Sequence, residues 1–236
     1  MENFQFQGPR NYWLHIIEAG LFMGGVHFVS VNTVLPNLIR DLGGSNFFIS
    51  IVPSLLLLGF LIPPIFVAHL LENRARYMPL ILVLTVFQRL PYLLTGFILW
   101  FHDYFSNIII LFSVALCPLF SGLFGGFSLS GWLMVINKTI KPERLSSSVA
   151  FRYLFSAIIG VFAGWTVKQI LTQYEPFKAY AILHFITFAF LFIGYFFLAG
   201  IKEPTAETKP QKKRKIKDTF IKIPTILNSS KKIISY

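Results

Sequence analysis

The chain has 236 residues, of which 55% are hydrophobic, 17% aromatic and only 13% charged, with a net charge of +11. Soluble domains carry about 25% charged residues, so this composition excludes an ordinary soluble protein and indicates an integral membrane protein. The single cysteine, Cys117, excludes an intrachain disulfide. The sequence has neither the Cys and His spacing of a metal site nor a nucleotide-binding glycine-rich loop, so we expect no metal and no cofactor.

Six apolar stretches follow a polar N-terminal segment, residues 1–12. Each is long enough for the roughly 20 residues of a membrane-spanning helix. The first is too long for the apolar core of a signal peptide, which predicts an uncleaved first span. We therefore expect an all-α bundle over residues 13–201, with spans at about 13–35, 47–71, 78–101, 107–136, 149–171 and 177–201.

Positive charge is concentrated in the loops after the even-numbered spans and in the segment that follows span six. Residues 202–236 hold ten Lys or Arg against three acidic residues, a net charge of +7. The positive-inside rule then places both termini in the cytoplasm. Beside a membrane, such a basic segment favours contact with anionic lipid over nucleic acid, so we expect no nucleic-acid partner.

A polar stripe runs along the first span. Glu18, Gly25 and Asn32 are seven residues apart and share one helix face, with His15 close to it. A carboxylate in a spanning helix faces protein or water rather than lipid, so this stripe is predicted to line the interior. Glu18 is a candidate proton or substrate group; the alternative, slightly favoured, is a structural salt bridge to Arg152 or to the arginines of loop two. For His15 the headgroup region is favoured over a role in tuning Glu18.

Arg89 lies near the middle of span three, where an arginine must pair or reach water. It is a candidate for binding an anionic substrate. The favoured alternative is a structural partner on span one, two or four, or a carbonyl freed by Pro91. Small residues on spans four and five, including the Gly160 and Gly164 pair with GxxxG spacing, predict close helix packing first and a substrate path second.

An enzyme is the less favoured class. Residues 128–131 (Ser-Leu-Ser-Gly) on span four and His184 on span six invite comparison with rhomboid proteases. That family needs Gly-x-Ser-Gly and a large first loop, and this chain has neither. We expect no enzymatic activity.

The loop between spans two and three resembles a loop motif of the major facilitator superfamily, G-x-L-A-D-R-x-G-R-R. Residues 68–77 read Ala-His-Leu-Leu-Glu-Asn-Arg-Ala-Arg-Tyr, in which Leu70 and Arg76 match, Glu72 replaces the aspartate and alanines replace the glycines. Residues 141–144 (Lys-Pro-Glu-Arg), with Arg152 soon after, look like a turn common in bacterial members. Residues 88–91 (Gln-Arg-Leu-Pro) and the pair at 63–64 (Pro-Pro) also resemble an uncharacterised bacterial branch.

The resemblance covers nearly the whole chain and implies the N-terminal six-helix half of such a transporter, built as a 3+3 inverted repeat. It implies alternating-access transport of a small solute across the cytoplasmic membrane, with proton coupling as a hypothesis. The candidate coupling and substrate residues are Glu18, His15, Asn32 and Arg89, and the candidate gating residues are Glu72, Arg76, Arg144 and Arg152.

Residues 231–236 (Lys-Lys-Ile-Ile-Ser-Tyr) read like the start of a seventh span. The expected partners are therefore the lipid bilayer, a small-molecule substrate, and either a missing C-terminal half or a second copy. The alternative is a truncated, non-transporting interaction protein or relic, whose basic segment docks on lipid or protein.

Overall fold

The computed structural model describes residues 8–71 and 74–205, and of residues 68–70 the backbone alone. In this part of the chain all regular structure is helical, and six segments are long and apolar enough to cross a membrane. The expectation of an all-helical, multi-pass membrane protein is confirmed. The expectations about residues 1–7, Glu72 and residues 206–236 concern positions outside the described residues. The α-helices are α1 Pro9–Gly25, α2 Val34–Asp41, α3 Asn46–Leu61, α4 Pro63–Leu71, α5 Met78–Trp100, α6 Asn107–Thr139, α7 Leu145–Gln173 and α8 Pro176–Ala199.

Span one is a broken helix made of α1 and α2. A single 3₁₀ turn, Val26–Val29, follows α1, and Ser30 then leaves the helical conformation, with φ at −50° and ψ at 125°. The Ser30 carbonyl accepts the N–H groups of Thr33, Val34 and Leu35, which starts α2. The break ends the regular 3.6-residue period before it reaches Asn32.

Span two is also broken, between α3 and α4, where Pro63 begins the second helix. Proline has no N–H to donate and its ring clashes with the preceding turn, which accounts for the break. Pro53, Pro91 and Pro118, by contrast, lie inside the continuous helices α3, α5 and α6. Spans three to six are the single helices α5, α6, α7 and α8.

The main helix contacts form one row. α6 packs against α3 and α5, α5 packs against α8, and α1 packs against α8 and α7. The spatial order is therefore α3, α6, α5, α8, α1, α7. Of the most apolar stretch of each span, 50% is buried in spans one and four, but only 17% in spans two and five. Spans two and five lie at the ends of the row and expose large apolar side chains.

Glycines allow the closest helix approach at positions other than the GxxxG pair of α7. A methyl group on Gly122 of α6 would lie 2.6 Å from the Leu56 carbonyl oxygen of α3. A methyl group on Gly164 would meet nothing within 4 Å, and one on Gly160 would meet only the His27 ring. The expectation that the Gly160 and Gly164 pair forms a close helix contact is therefore wrong, because this face of α7 has no backbone packed against it.

Candidate functional site

One end of the bundle collects most of the described positive charge. α1, α5 and α7 begin there and α6 and α8 end there, as direct contacts show: the Arg10 Nη2 atom donates to the Gly200 carbonyl at 3.0 Å, and the Tyr12 and Ser147 hydroxyls are 2.9 Å apart. We call this end the basic end. About two turns inside it, α1 brings two polar side chains into the bundle, Glu18 and His15, which are 6% and 0% exposed.

Glu18 forms a buried ion pair with Arg89 of α5. The Arg89 Nη2 atom is 3.5 Å from the Glu18 Oε1 atom, and the two side chains are 3% and 8% exposed. This distance is longer than that of a charge-assisted hydrogen bond. Among the described residues, Nη2 has no hydrogen-bond partner.

The rest of the Arg89 side chain is held by main-chain oxygens and aromatic rings. Its Nε atom donates to the Leu191 carbonyl of α8 and its Nη1 atom to the Thr85 carbonyl, each at 2.7 Å. The guanidinium carbon lies 5.6 Å from the ring centroids of both Phe22 and Tyr195. Arg89 is therefore fixed by α5 and α8, and Glu18 is the group with fewer contacts.

These contacts answer two of the structural alternatives. Arg89 does have a partner on span one, but the carbonyls that it binds are those of Leu191 and Thr85, not one freed by Pro91. For Glu18, the ion-pair partner is Arg89 rather than Arg152 or an arginine of loop two. α8 packs against both α1 and α5, so the long Arg89 side chain reaches Glu18 from a helix that is not the direct neighbour of α1 in the row.

Arg152 of α7 is the second cation near Glu18, and the two interact electrostatically. Its Nε atom donates to the Ser148 carbonyl at 3.2 Å and its Nη2 atom to the Ser148 hydroxyl at 3.0 Å. Its guanidinium lies over the Trp132 ring of α6, 5.2 Å from the centroid. Arg152 thus belongs to the buried cluster rather than to a loop, and two guanidinium groups surround one carboxylate.

His15 does not lie among headgroups, as the sequence favoured, but is fully buried. Its Nε2 atom is 2.9 Å from the Thr139 hydroxyl oxygen, and that hydroxyl donates to the Val135 carbonyl at 2.6 Å. The hydroxyl therefore accepts from Nε2–H. In the neutral ring, Nδ1 is then a proton acceptor, and it has no hydrogen-bond partner among the described residues.

Asn32 is not part of this cluster. It is exposed in the turn between α1 and α2, and its own N–H donates to the Ser30 hydroxyl at 3.3 Å. Gly25 faces α8, where a methyl group would lie 2.7 Å from the Phe190 Cβ atom. The predicted continuous stripe is therefore wrong, since the helix breaks before Asn32 and Gly25 packs against a neighbouring helix.

The predicted gating residues lie at the basic end in different surroundings. Arg76 is exposed and donates from Nε to the Thr205 hydroxyl at 2.8 Å. The Arg144 guanidinium lies 5.8 Å from the Tyr12 ring centroid. Glu72 is outside the described residues.

Glu203, which sequence reasoning missed, joins three chain segments at the basic end. Its carboxylate accepts the N–H groups of Tyr77 and Met78, each at 2.8 Å, and so caps the start of α5. The Lys138 Nζ atom of α6 binds it at 2.8 Å. An acidic residue directly after span six, next to a run of basic residues, was the available signal.

The small-residue face of α6 and the serine–histidine pair have structural contacts. The Ser128 hydroxyl donates to the Gly125 carbonyl of its own helix, and the His184 Nδ1 atom is 2.8 Å from the Tyr180 carbonyl.

Comparison of the chain with protein-family models, with curated proteins and with solved structures finds no match.

Proposed function

We propose that the chain is the N-terminal half of a secondary transporter of the major facilitator type, which moves a small solute by alternating access. The observation that carries the proposal is a symmetry in the helix contacts. Exchange of spans one, two and three with spans four, five and six maps the contact of α1 with α7 onto that of α6 with α3. It likewise maps the contact of α1 with α8 onto that of α6 with α5, and it leaves the contact between α5 and α8 unchanged.

Three helices repeated in this way run in opposite directions through the membrane, because span one and span four cross it in opposite senses. Such inverted repeats are a common plan of secondary transporters, with the transport site near the repeat interface. The contact symmetry therefore supports a 3+3 inverted repeat.

Glycine positions follow the same symmetry. On α1, a methyl group at Gly24 would lie 2.7 Å from the Ile159 side chain of α7, and Gly20 contacts Phe155 of the same helix. On α6, the glycines with the same spacing, Gly122 and Gly126, approach the backbone of α3. Spans one and four thus use the same small-residue spacing to contact the two outer spans.

The unburied faces of spans two and five support a half rather than a whole molecule. α7 leaves Val161, Phe162 and Trp165 more than half exposed, and α3 does the same with Phe47 and Leu61. In the resembling fold these spans contact the second six-helix half. A missing C-terminal half or a second copy would cover such faces, and lipid would cover the remainder.

Orientation in the membrane follows from the basic end. By the positive-inside rule this end is expected to face the cytoplasm, which supports a cytoplasmic position for both termini. The proposed membrane is the cytoplasmic membrane. The turn Pro142–Arg144 and the loop with Arg76 then lie on the cytoplasmic side, where a gate between halves would open and close.

The buried cluster supports proton coupling. Glu18 is held by one long ion pair to Arg89 and by a hydrogen bond with the Trp132 side chain, and it lies near a second cation, Arg152. One turn earlier on α1, the His15 Nδ1 atom has no hydrogen-bond partner among the described residues. A proton on Glu18 releases Arg89 from its only described carboxylate partner. Protonation thus changes the contact between spans one and three, which is the kind of local change that biases a two-state bundle.

The experiment uses the protein as its cell produces it, with any half that copurifies, reconstituted in proteoliposomes. A panel of small solutes is screened by thermal stabilisation, and each hit is tested by counterflow, the exchange of labelled for unlabelled solute. Counterflow of at least one solute is expected. If no solute exchanges, while deletion of residues 209–217 abolishes binding to lipid or protein, the interaction-protein alternative replaces the transporter.

A further inference from the structure

A groove lies between the basic ends of α5 and α8, away from the Glu18 cluster. Its volume is about 360 Å³, and five of its eight lining residues are apolar, which makes it a poor site for a small free anion. Leu82 comes from α5, and Ala199 and Ile201 come from α8 and the segment after it. The wall is therefore suited to hydrocarbon.

Two cations stand at the same groove. Arg76 and Lys202 line it and both are exposed. Arg76 commits its Nε atom to the Thr205 hydroxyl, which fixes the guanidinium and leaves both Nη groups without a partner among the described residues. The contacts of Lys202 with Asn11 are made by its main chain. None of the salt bridges of the described residues involves the Lys202 Nζ atom.

The one acidic residue of the groove does not neutralise these cations. Glu203 is 7% exposed, and its carboxylate is taken up by the Tyr77 and Met78 N–H groups and by Lys138. The same contacts use the main-chain donors at the start of α5, so anion binding here falls to the two side chains. Guanidinium and ammonium groups bind phosphate strongly.

We propose that this groove binds one anionic phospholipid, with its phosphate between Arg76 and Lys202 and the first part of an acyl chain against Leu82 and Ala199. The location fits, because the ends of spanning helices lie at headgroup level, and the basic end is the one predicted to face the anionic cytoplasmic leaflet. The site lies outside the proposed proton-coupling cluster, and its test does not depend on transport.

The test is native mass spectrometry of the purified protein titrated with phosphatidylglycerol or with phosphatidylcholine of the same acyl chains. The wild type is expected to retain one phosphatidylglycerol at concentrations where phosphatidylcholine gives no adduct. The double variant Arg76→Gln/Lys202→Gln should bind phosphatidylglycerol roughly 30-fold more weakly, at about 1 kcal/mol for each cation near the surface.

A matched variant removes the same charges elsewhere on the basic end. Lys141→Gln/Arg144→Gln should bind as the wild type does, and Arg76→Lys/Lys202→Arg, which keeps both charges, should retain most of the binding. Equal binding by wild type and Arg76→Gln/Lys202→Gln, or an equal loss in the matched variant, overturns the proposal.

A third variant tests whether the ligand is a lipid or only a phosphate. Ala199 is exposed in the groove, so Ala199→Trp should fill the apolar wall without removing a charge. Binding of phosphatidylglycerol is expected to fall at least tenfold. If it is unchanged, the cations bind phosphate without the groove, and the lipid site is wrong.

Discussion

Two carboxylates of this protein are almost equally buried, yet they are held in opposite ways. Glu203, at the basic end, accepts two main-chain N–H groups and binds Lys138 at 2.8 Å. Glu18, inside the bundle, has one ion pair at 3.5 Å, and its partner Arg89 is itself fixed by two carbonyls. A carboxylate with several short donors is fixed in its charged form, whereas one held by a longer ion pair and by the Trp132 side chain can change its state more easily.

The different contacts of Glu203 and Glu18 indicate different roles for the two carboxylates. Glu203 fastens the segment after span six to the start of α5 and to α6, which sets the ends of three helices. Glu18 lies where side chains of spans one, three, four and five meet, and in the proposed coupling a change in its charge alters how these spans contact each other. We therefore assign a structural role to Glu203 and the proposed coupling role to Glu18.

The largest expected effect is that of Arg89→Met. It leaves the Glu18 carboxylate buried without its ion-pair partner, and breaking a buried pair from one side costs about 3–5 kcal/mol. Thermal unfolding in detergent should show this loss, and the double variant Glu18→Gln/Arg89→Met should recover most of it. A single variant as stable as the wild type would show that Glu18 is not charged in the folded protein.

Removal of the Glu203 carboxylate should lower the free energy of unfolding by less than Arg89→Met does. Glu203→Ala leaves the Tyr77 and Met78 N–H groups and Lys138 without their acceptor, which costs about 1–3 kcal/mol. Glu143→Ala is the matched control, since Glu143 is exposed in the turn at the same end, and its cost should stay within about 0.5 kcal/mol. Equal stability of the two variants would contradict the structural role of Glu203.

Removal of the cation from each carboxylate sharpens the comparison. Lys138→Met leaves Glu203 with two main-chain donors, and the Lys138 side chain is 21% exposed, so we expect a loss of about 0.5–1 kcal/mol. This is several-fold smaller than the loss in Arg89→Met. Similar losses in the two variants, measured in the same unfolding assay, would mean that both carboxylates depend equally on their cations.

A small effect on stability, close to that of Lys138→Met, is expected for Glu18→Gln. The amide oxygen can still accept from Arg89, and that arginine keeps its bonds to the Leu191 and Thr85 carbonyls. A loss of about 1 kcal/mol is expected. A loss as large as that of Arg89→Met would show that the ion pair is mainly structural, and it would remove the basis for proton coupling.

Long apolar runs made the helices predictable, because in lipid every main-chain polar group must be satisfied within the chain. The same reasoning indicated that Glu18 and Arg89 avoid lipid, but it did not pair them. Their pairing depends on α8 packing against both α1 and α5, which no local pattern encodes.

The position of Asn32 and the role of Glu203 were not predicted correctly from the sequence, in each case for a local reason. The helical period placed Asn32 with Glu18, but the Ser30 carbonyl starts a new helix and turns the chain before that position. Glu203 lies outside the spans among charged residues, where a buried carboxylate is not expected. Its role follows only from the free N–H groups at the start of α5, which a charge on a neighbouring segment can cap.

Proton-driven uptake by Glu18→Gln tests the central claim most directly. The variant is reconstituted in proteoliposomes beside the wild type and Lys138→Met, with a solute identified by counterflow, and uptake is measured with and without a pH gradient. Because exchange needs no net proton release, Glu18→Gln is expected to keep counterflow and to lose accumulation driven by the gradient, while Lys138→Met keeps both. Accumulation by Glu18→Gln at the wild-type level, with the same dependence on external pH, would contradict the claim that Glu18 carries the proton.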